Sequence, residues 1–405
     1  GRSERMIAVY LFPLYVLVNL YVFRWGIRYM SACSRHFKKK WIRIFIGIVY
    51  TFSALSLGIG FFLKPSMAQR FFKCFGNYWL GVSLYMILVI VIVDLGRFFL
   101  KRIRWIPQEK LRSRRTFVIT GTCCVILIAS VSVYGVLHVR HIRTTSYEVT
   151  VEKRCAGREE LKIALVADIH LGYSIGTWQM REMAKKINAQ QPDLVCIAGD
   201  IFDNEYEALD DPKELIQIFR SIESTYGVYA CYGNHDIQEK ILAGFTFDSD
   251  RKKMSDERMD RFLEEAGIIL LRDEAVCIDE AFYLCGRPDA KVPGRGIEKR
   301  KTPKELIEGL DLSKPLIVID HEPSELQELA DAGVDIDLCG HTHNGQMFPG
   351  NLIMPFLWEN PYGYLDKDGM HNIVTSGIGL FGPNMRVGTD SEIVMIDVNF
   401  QSESK

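Results

Sequence analysis

The 405-residue sequence lacks several features, and each absence excludes something. Net charge is missing: 49 Lys and Arg against 50 Asp and Glu leave a formal -1, so no overall field draws the chain toward nucleic acid. The cysteines include no Cys-x-x-Cys pair and no zinc-finger spacing, which argues against thiolate metal clusters. Cys196, Cys231 and Cys339 sit in short apolar runs and read as buried packing. Cys277 and Cys285 flank a possible hairpin, and nothing in the sequence requires them to pair. Acidic residues are almost absent from the first 145 positions, which carry Leu, Ile, Val and Phe with blocks of Lys and Arg. Nearly all Asp and Glu follow. Such a split marks a membrane portion joined to a soluble one, with residues 1–145 and 146–405 as the expected domains.

Four apolar stretches approach the roughly 20 residues a spanning helix needs: Met6–Phe23, Ile42–Leu63, Tyr78–Leu100 and Phe117–Val139. The first is not expected to be a cleaved leader, because it lacks a small-residue cleavage site and further spans follow. Arg24, Arg28, Arg35 and Lys38–Lys40 fill the first loop, and Lys101, Arg102, Arg104, Lys110, Arg112, Arg114 and Arg115 the third. The second loop holds only Lys64, Arg70 and Lys73. Basic loops stay cytoplasmic, so the N-terminus and everything after the fourth span are expected outside the cell membrane. Three spans with one stretch lying at the interface would reverse this. Asp94, close to Arg97, and Asn19 are polar residues within the spans. Without a row of charges, broken helices or repeats they indicate an anchor rather than a transporter.

From about Tyr147 the pattern changes to short apolar runs alternating with amphipathic stretches. Strands are expected at Leu161–Ala167, Leu194–Ala198, Val228–Tyr232, Leu316–Ile319, Ile336–Cys339 and around Ile373–Thr375. Helices are expected at Trp178–Ala189, Pro212–Ser224, Asp256–Ala266 and Pro323–Ala332, with Pro212 and Pro323 in first turns. This alternation predicts an α/β domain. Most of these runs end in a polar cluster: Asp168-Ile169-His170, Gly199-Asp200, Gly233-Asn234-His235-Asp236, Asp320-His321 and Gly340-His341-Thr342-His343-Asn344-Gly345-Gln346. Each alone is a common strand exit. Together they place five of the 9 histidines at strand ends, where α/β folds build their sites.

That order of clusters resembles the calcineurin-like metallophosphoesterases over about Leu161 to Asp397. The Gly-His-Thr-His-x-Gly-Gln ending and the tether look like the bacterial branch that includes enzymes acting on UDP-2,3-diacylglucosamine. Asn344 stands where that branch often has Gly, a small departure because Asn tolerates left-handed backbone. The resemblance implies an all-α transmembrane bundle followed by two β-sheets sandwiched between helices. It implies two divalent metal ions (Mn, Fe, Zn or Co), one held by Asp168, His170 and His343. The other would be held by Asn234, His321 and His341, with Asp200 bridging. Oxygen and imidazole donors without thiolate suit those metals. His235 becomes the catalytic acid, with Asp236 behind it to fix its tautomer. Asp203 and Asp320 are candidates to orient imidazoles. Arg386, in a loop with Gly377, Gly379 and Gly382, is a candidate contact for substrate phosphate. The expected substrate is a phosphate-containing small molecule or lipid, its leaving group met by loops Gly244–Ser255 and Pro288–Thr302. A catalytically silent, metal-stabilised binding module is the alternative.

Overall fold

The computed structural model describes residues 2–103, 105–239, 241–242, 245–246, 256–291 and 299–401; side chains of 2–11, 241, 245 and 246 also lie outside the description. Two compact units emerge. One comprises Gly1–Leu137 with Lys240–Asp250 and Gly382–Met385; the other comprises His138–Glu239, Arg251–Phe381 and Arg386–Lys405.

The first unit is helical: α1 (Arg2–Cys33), α2 (Lys40–Phe62), α3 (Met67–Leu100), α4 (Gln108–Arg112) and α5 (Arg114–His138). Helices α2, α3 and α5 are long and apolar enough to cross a membrane. The expected span Met6–Phe23 falls within α1, where side chains through Leu11 lie outside the described residues. Ser66 caps α3 by accepting the Gln69 N–H at 3.2 Å, one of the donors a helix start leaves unpaired. Glycines let helices approach: a Cβ on Gly76 would lie 2.5 Å from Leu57 Cγ. Within this unit, Asn384 N–H donates to Asn77 O at 3.1 Å. The polar residues of the spans are satisfied locally. Asp94 accepts the Tyr21 hydroxyl rather than leaning on Arg97, whose guanidinium lies over the Phe117 ring. Asn19 accepts from Tyr50 Oη at 2.9 Å.

The strands in chain order are β1 (Ile142–Val151), β2 (Glu160–Val166), β3 (Leu194–Ala198), β4 (Val228–Cys231), β5 (Ile241–Leu242), β6 (Phe245–Thr246), β7 (Ile268–Leu270), β8 (Glu274–Ile278), β9 (Phe282–Gly286), β10 (Leu316–Ile319), β11 (Ile336–Cys339), β12 (Gly363–Lys367), β13 (Met370–Val374) and β14 (Ser391–Phe400). The β5–β6 ribbon groups with the helical unit. The rest form two six-stranded sheets, ordered β1-β14-β2-β3-β4-β7 and β12-β13-β11-β10-β9-β8. β2, β3, β4 and β7 run parallel, as do β9, β10, β11 and β13. Helices of this unit are α6 (Thr177–Gln190), α7 (Pro212–Arg220), α8 (Glu257–Glu265), α9 (Pro303–Leu306), α10 (Leu326–Ala332) and α11 (Gly350–Leu357).

Strand alternation builds the layers. Ile163 and Leu165 of β2 face a core shared with Ile317, Leu338 and Ile373 of the other sheet. Ala164 and Val166 face the opposite side, toward Met183 and Ile187 of α6 and Leu215 of α7. Leu306, Leu326 and Leu329 cover the outer face of the second sheet. The result is helix, sheet, sheet, helix, as expected.

Some boundaries differ from the sequence reading. The α/β unit begins at His138, with β1 starting at Ile142. β1 pairs with β14 across the full length of both, a long-range partnership that local pattern does not reveal. Pro212 opens α7 as expected. Pro323 instead precedes its helix, which starts at Leu326 after Glu325 adopts φ 55°. The described cysteines are free; Cys277 lies opposite Tyr283 and Cys285 opposite Ala275, so that pair does not face across the hairpin.

Candidate metal centre

Because β2, β3, β4, β10 and β11 run parallel within their sheets, their carboxyl ends each deliver one polar cluster to a common rim. Two groups of donor atoms converge there: Asp168 with His170 and His343, and Asp200 with His321 and His341. Asn234 joins the second group, its Oδ1 lying 3.1 Å from His321 Nε2. Asp200 Oδ2 faces both groups, 3.1 Å from His321 Nε2 and 3.6 Å from His170 Nε2. The structure thus brings together all seven side chains expected as ligands.

The backbone is forced into place to achieve this. Asp168, His170, Asp200, His341 and His343 all have φ between 49° and 73°, a region that residues with a Cβ enter at a cost. Asn344 follows with φ 50°, as its tolerance for left-handed backbone allows. Gly233 is required by close approach: a Cβ there would lie 2.2 Å from Asp200 Oδ1. Gly379 likewise would drive a Cβ to 2.0 Å from Ile169 O.

The donor set fits divalent cations. His321 Nδ1 lies 2.9 Å from the Ala198 carbonyl, which can only accept, so that nitrogen carries the proton and Nε2 is bare in the neutral ring. Nε2 nevertheless faces the Asp200 carboxylate, the Asn234 amide oxygen and, at 3.1 Å, His341 Nδ1. Converging lone pairs of this kind call for positive charge between them. Burial favours a neutral His321, yet Asp200 beside it outweighs this and holds the imidazole well above its ordinary pKa. Burial also opposes charge on Asp200, but His321 and His235 hold it well below the carboxylate range. His341 is pushed down to about 3 by burial and by His321. Burial, with His170 and Arg386, likewise lowers His343. The bare imidazoles of His341 and His343 and an ionised Asp200 are the forms a divalent cation binds, and at His321 a cation would take the place of the proton that Asp200 favours.

The surrounding contacts partly match expectation. His170 Nδ1 meets Asp203 Oδ1 at 3.2 Å, so Asp203 does orient an imidazole. Asp320 does not. It is buried between Arg287, at 2.9 Å, and Arg300, at 3.0 Å. Asp236 does not sit behind the His235 ring either. Its carboxylate accepts Phe202 N–H at 2.8 Å and Gly233 N–H at 2.7 Å, and burial pushes its pKa up to about 7. The partner of His235 is Asn204, whose Oδ1 contacts His235 Nδ1 and whose N–H donates to His235 O at 3.1 Å. Asn204 is fully buried with φ 60°. Sequence offered one signal for it, its place four residues beyond Asp200 in a polar strand exit.

Arg386, expected at substrate phosphate, is instead enclosed. Its Nη2 donates to Ser376 O at 2.7 Å and Gly379 O at 2.9 Å, and Nη1 to His343 O at 3.3 Å. This is a brace joining the glycine-rich loop to a ligand-bearing turn, with no face left open to a substrate. Phe381 from that loop lies with its ring centroid 5.0 Å from His235 and 5.8 Å from His170, an apolar wall beside the site. The loops Gly244–Ser255 and Pro288–Thr302 fall partly outside the described residues.

Residues 161–345 match the model of the calcineurin-like phosphoesterase family. An uncharacterized metallophosphoesterase of Campylobacter jejuni is 29% identical, over 60% of this chain and 60% of its own length. One of Aquifex aeolicus is 28% identical over 65% of this chain and 95% of its own. A zebrafish transmembrane protein with metallophosphoesterase domain is 28% identical over 67% of this chain and 61% of its own length. The chain therefore spans about three fifths of the Campylobacter and zebrafish relatives.

Proposed function

We propose that the α/β unit is a calcineurin-like phosphoesterase, as the match of residues 161–345 to that family supports, and that this chain is a membrane-anchored phosphohydrolase with a two-metal centre. The observation that carries this is the convergence of Asp168, His170 and His343 on one side of Asp200 and of Asn234, His321 and His341 on the other. Asp168, His170 and His343 would hold one cation and Asn234, His321 and His341 the other, with Asp200 shared. Divalent cations bound there would acidify water and neutralise phosphoryl oxygens.

The protein's own groups do the remaining work. The Asn204 side-chain oxygen accepts from His235 and so keeps a proton on Nδ1. All proton traffic at that ring is then confined to Nε2, which suits it to protonate a departing ester oxygen. Asp203 fixes the ring of His170, and Phe381 limits water beside both imidazoles. Asp236 holds the turn that carries Asn234 and His235 by its bonds to Phe202 and Gly233.

The bond cleaved is a phosphomonoester, phosphodiester or pyrophosphate of a lipid-linked or envelope compound, in the manner of enzymes acting on UDP-2,3-diacylglucosamine. A tether supports this by keeping the site near such substrates. The anchor is read as four spans in the cell membrane, with the α/β unit outside on the strength of the basic loops. Hydrolysis of bis-p-nitrophenyl phosphate by the Mn-loaded full chain tests the activity: Asp200→Asn and His235→Ala should abolish it while circular dichroism stays unchanged. Retained turnover in both variants refutes the reading. Orientation has its own readout in exposed Cys277, which a membrane-impermeant maleimide should label in intact cells.

A further inference from the structure

The stretch from Met347 to Trp358 contains no Asp, Glu, Lys, Arg or His. Its centre is α11, and α11 is exposed on the side where a water-bathed helix carries charge. Phe356 is 87% exposed, Leu357 63%, Leu352 56% and Ile353 52%. Leu352, Ile353, Phe356 and Leu357 recur at helical spacing on one side of α11. The first turn of the helix meets the 3-10 turn His343–Gly345, where Gly345 and Gly350 approach so closely that neither has room for a Cβ. The helix is therefore tied at its start to a ligand-bearing turn while its large apolar residues are exposed. Isolated exposed apolar side chains are ordinary, but four on one short helix with no charge among them mark a candidate interaction surface.

We propose that α11 is a membrane-surface helix whose outward side chains insert among the acyl chains of the bilayer that holds this chain's own spans. Three observations favour lipid as the occupant. The chain carries span-capable helices, so a bilayer is always at hand. In the chain, only Val139, Arg140 and His141 separate span-capable α5 from β1. Composition also fits: Phe, Leu, Ile and Met without charge, closed by Trp358, the residue type that favours the headgroup level.

Insertion would act on the site through the chain itself. The turn N-terminal to α11 carries His343, and Trp358 at its other end packs edge-on against His341 with ring centroids 5.2 Å apart. A phosphate ester at the headgroup level is thus the substrate class such an arrangement would serve. That consequence, unlike the docking itself, rests on the hydrolytic reading above.

The test uses the full chain in nanodiscs of phosphatidylethanolamine and phosphatidylglycerol doped with a phospholipid bearing a diazirine in its acyl chain. After irradiation, mass spectrometry should find lipid adducts on peptides from α2, α3 and α5 and on the peptide covering 347–358. The pair Leu352→Asp and Phe356→Asp should lower adducts on that last peptide at least tenfold and leave those on the spans unchanged; Phe356→Ala, a milder change, should lower them several-fold. Labelled spans with an unlabelled 347–358 peptide would overturn the proposal, as would a crosslink between two copies through α11. A chain that labels as expected yet hydrolyses no ester leaves the docking standing and defeats the enzymatic reading alone.

Discussion

Replacing Asn204 offers a sharp test of the catalytic reading, because the side chain touches none of the seven ligand side chains in any described bond and acts on His235 alone. Two effects separate cleanly. Removing the amide takes away the oxygen that holds His235 Nδ1–H, a hydrogen bond to a ring that must become charged during catalysis. Such bonds contribute about 1.5–3 kcal/mol. At 1.36 kcal/mol per decade this lowers kcat by about 10- to 150-fold. Changing the backbone preference is the second effect: Asn204 sits at φ 60°, where a Cβ without a local hydrogen bond costs roughly 1–2 kcal/mol. Asn204→Gly therefore reports catalysis with little strain, whereas Asn204→Ala adds a loss of stability. Asn204→Asp keeps an acceptor and should retain most activity.

The assay is kcat for a series of aryl and alkyl phosphate esters with leaving groups of rising pKa. If His235 Nε2 supplies the proton, Asn204→Gly should slow esters with poor leaving groups most and nitrophenyl esters least. Equal losses across the series, or none, would refute the role given to Asn204.

Gly233→Ala should reduce kcat by at least about 100-fold and weaken metal binding by calorimetry, since its Cβ would lie 2.2 Å from Asp200 Oδ1 and 2.7 Å from Asp200 N. Stripping divalent ions with a chelator should lower the melting temperature by about 5–10 °C, reversed by Mn; a ligand at 100 times its Kd stabilises by about 2.7 kcal/mol. Asp337 predicts a pH effect remote from the ligands. Burial and nearby Asp320 push its pKa up to about 7, so the folded state holds the proton more tightly than the unfolded chain does. Its contribution is complete below about pH 4 and is lost as pH rises through 7. Asp337→Asn, which preserves a bond to Asn372, should gain stability relative to the parent by a few kcal/mol between pH 5 and 8 in denaturant titrations.

The sequence by itself determined the parts whose physics is local. Apolar length marked α2, α3 and α5, and short runs of buried residues marked β2, β3, β4, β10 and β11 almost to the residue. Strand ends placed Asp168, His170, Asp200, Asn234, His321, His341 and His343 at one rim, because parallel neighbours must deliver their exits to the same side. Tertiary structure alone decided which groups meet. Asp236 neighbours His235 in sequence, yet the fold puts its carboxylate on the backbone of distant Phe202 and leaves the ring to Asn204. Arg386 carries a charge that sequence reads as available, whereas burial directs its donors to backbone carbonyls. Asp320 stands beside a ligand in the chain yet pairs with Arg287 and Arg300. Exposure of α11 was equally hidden, since an apolar run reads the same whether it lines a core or faces outward. Periodicity fixes an element and its end; the direction a side chain takes from that end depends on neighbours brought from distant parts of the chain.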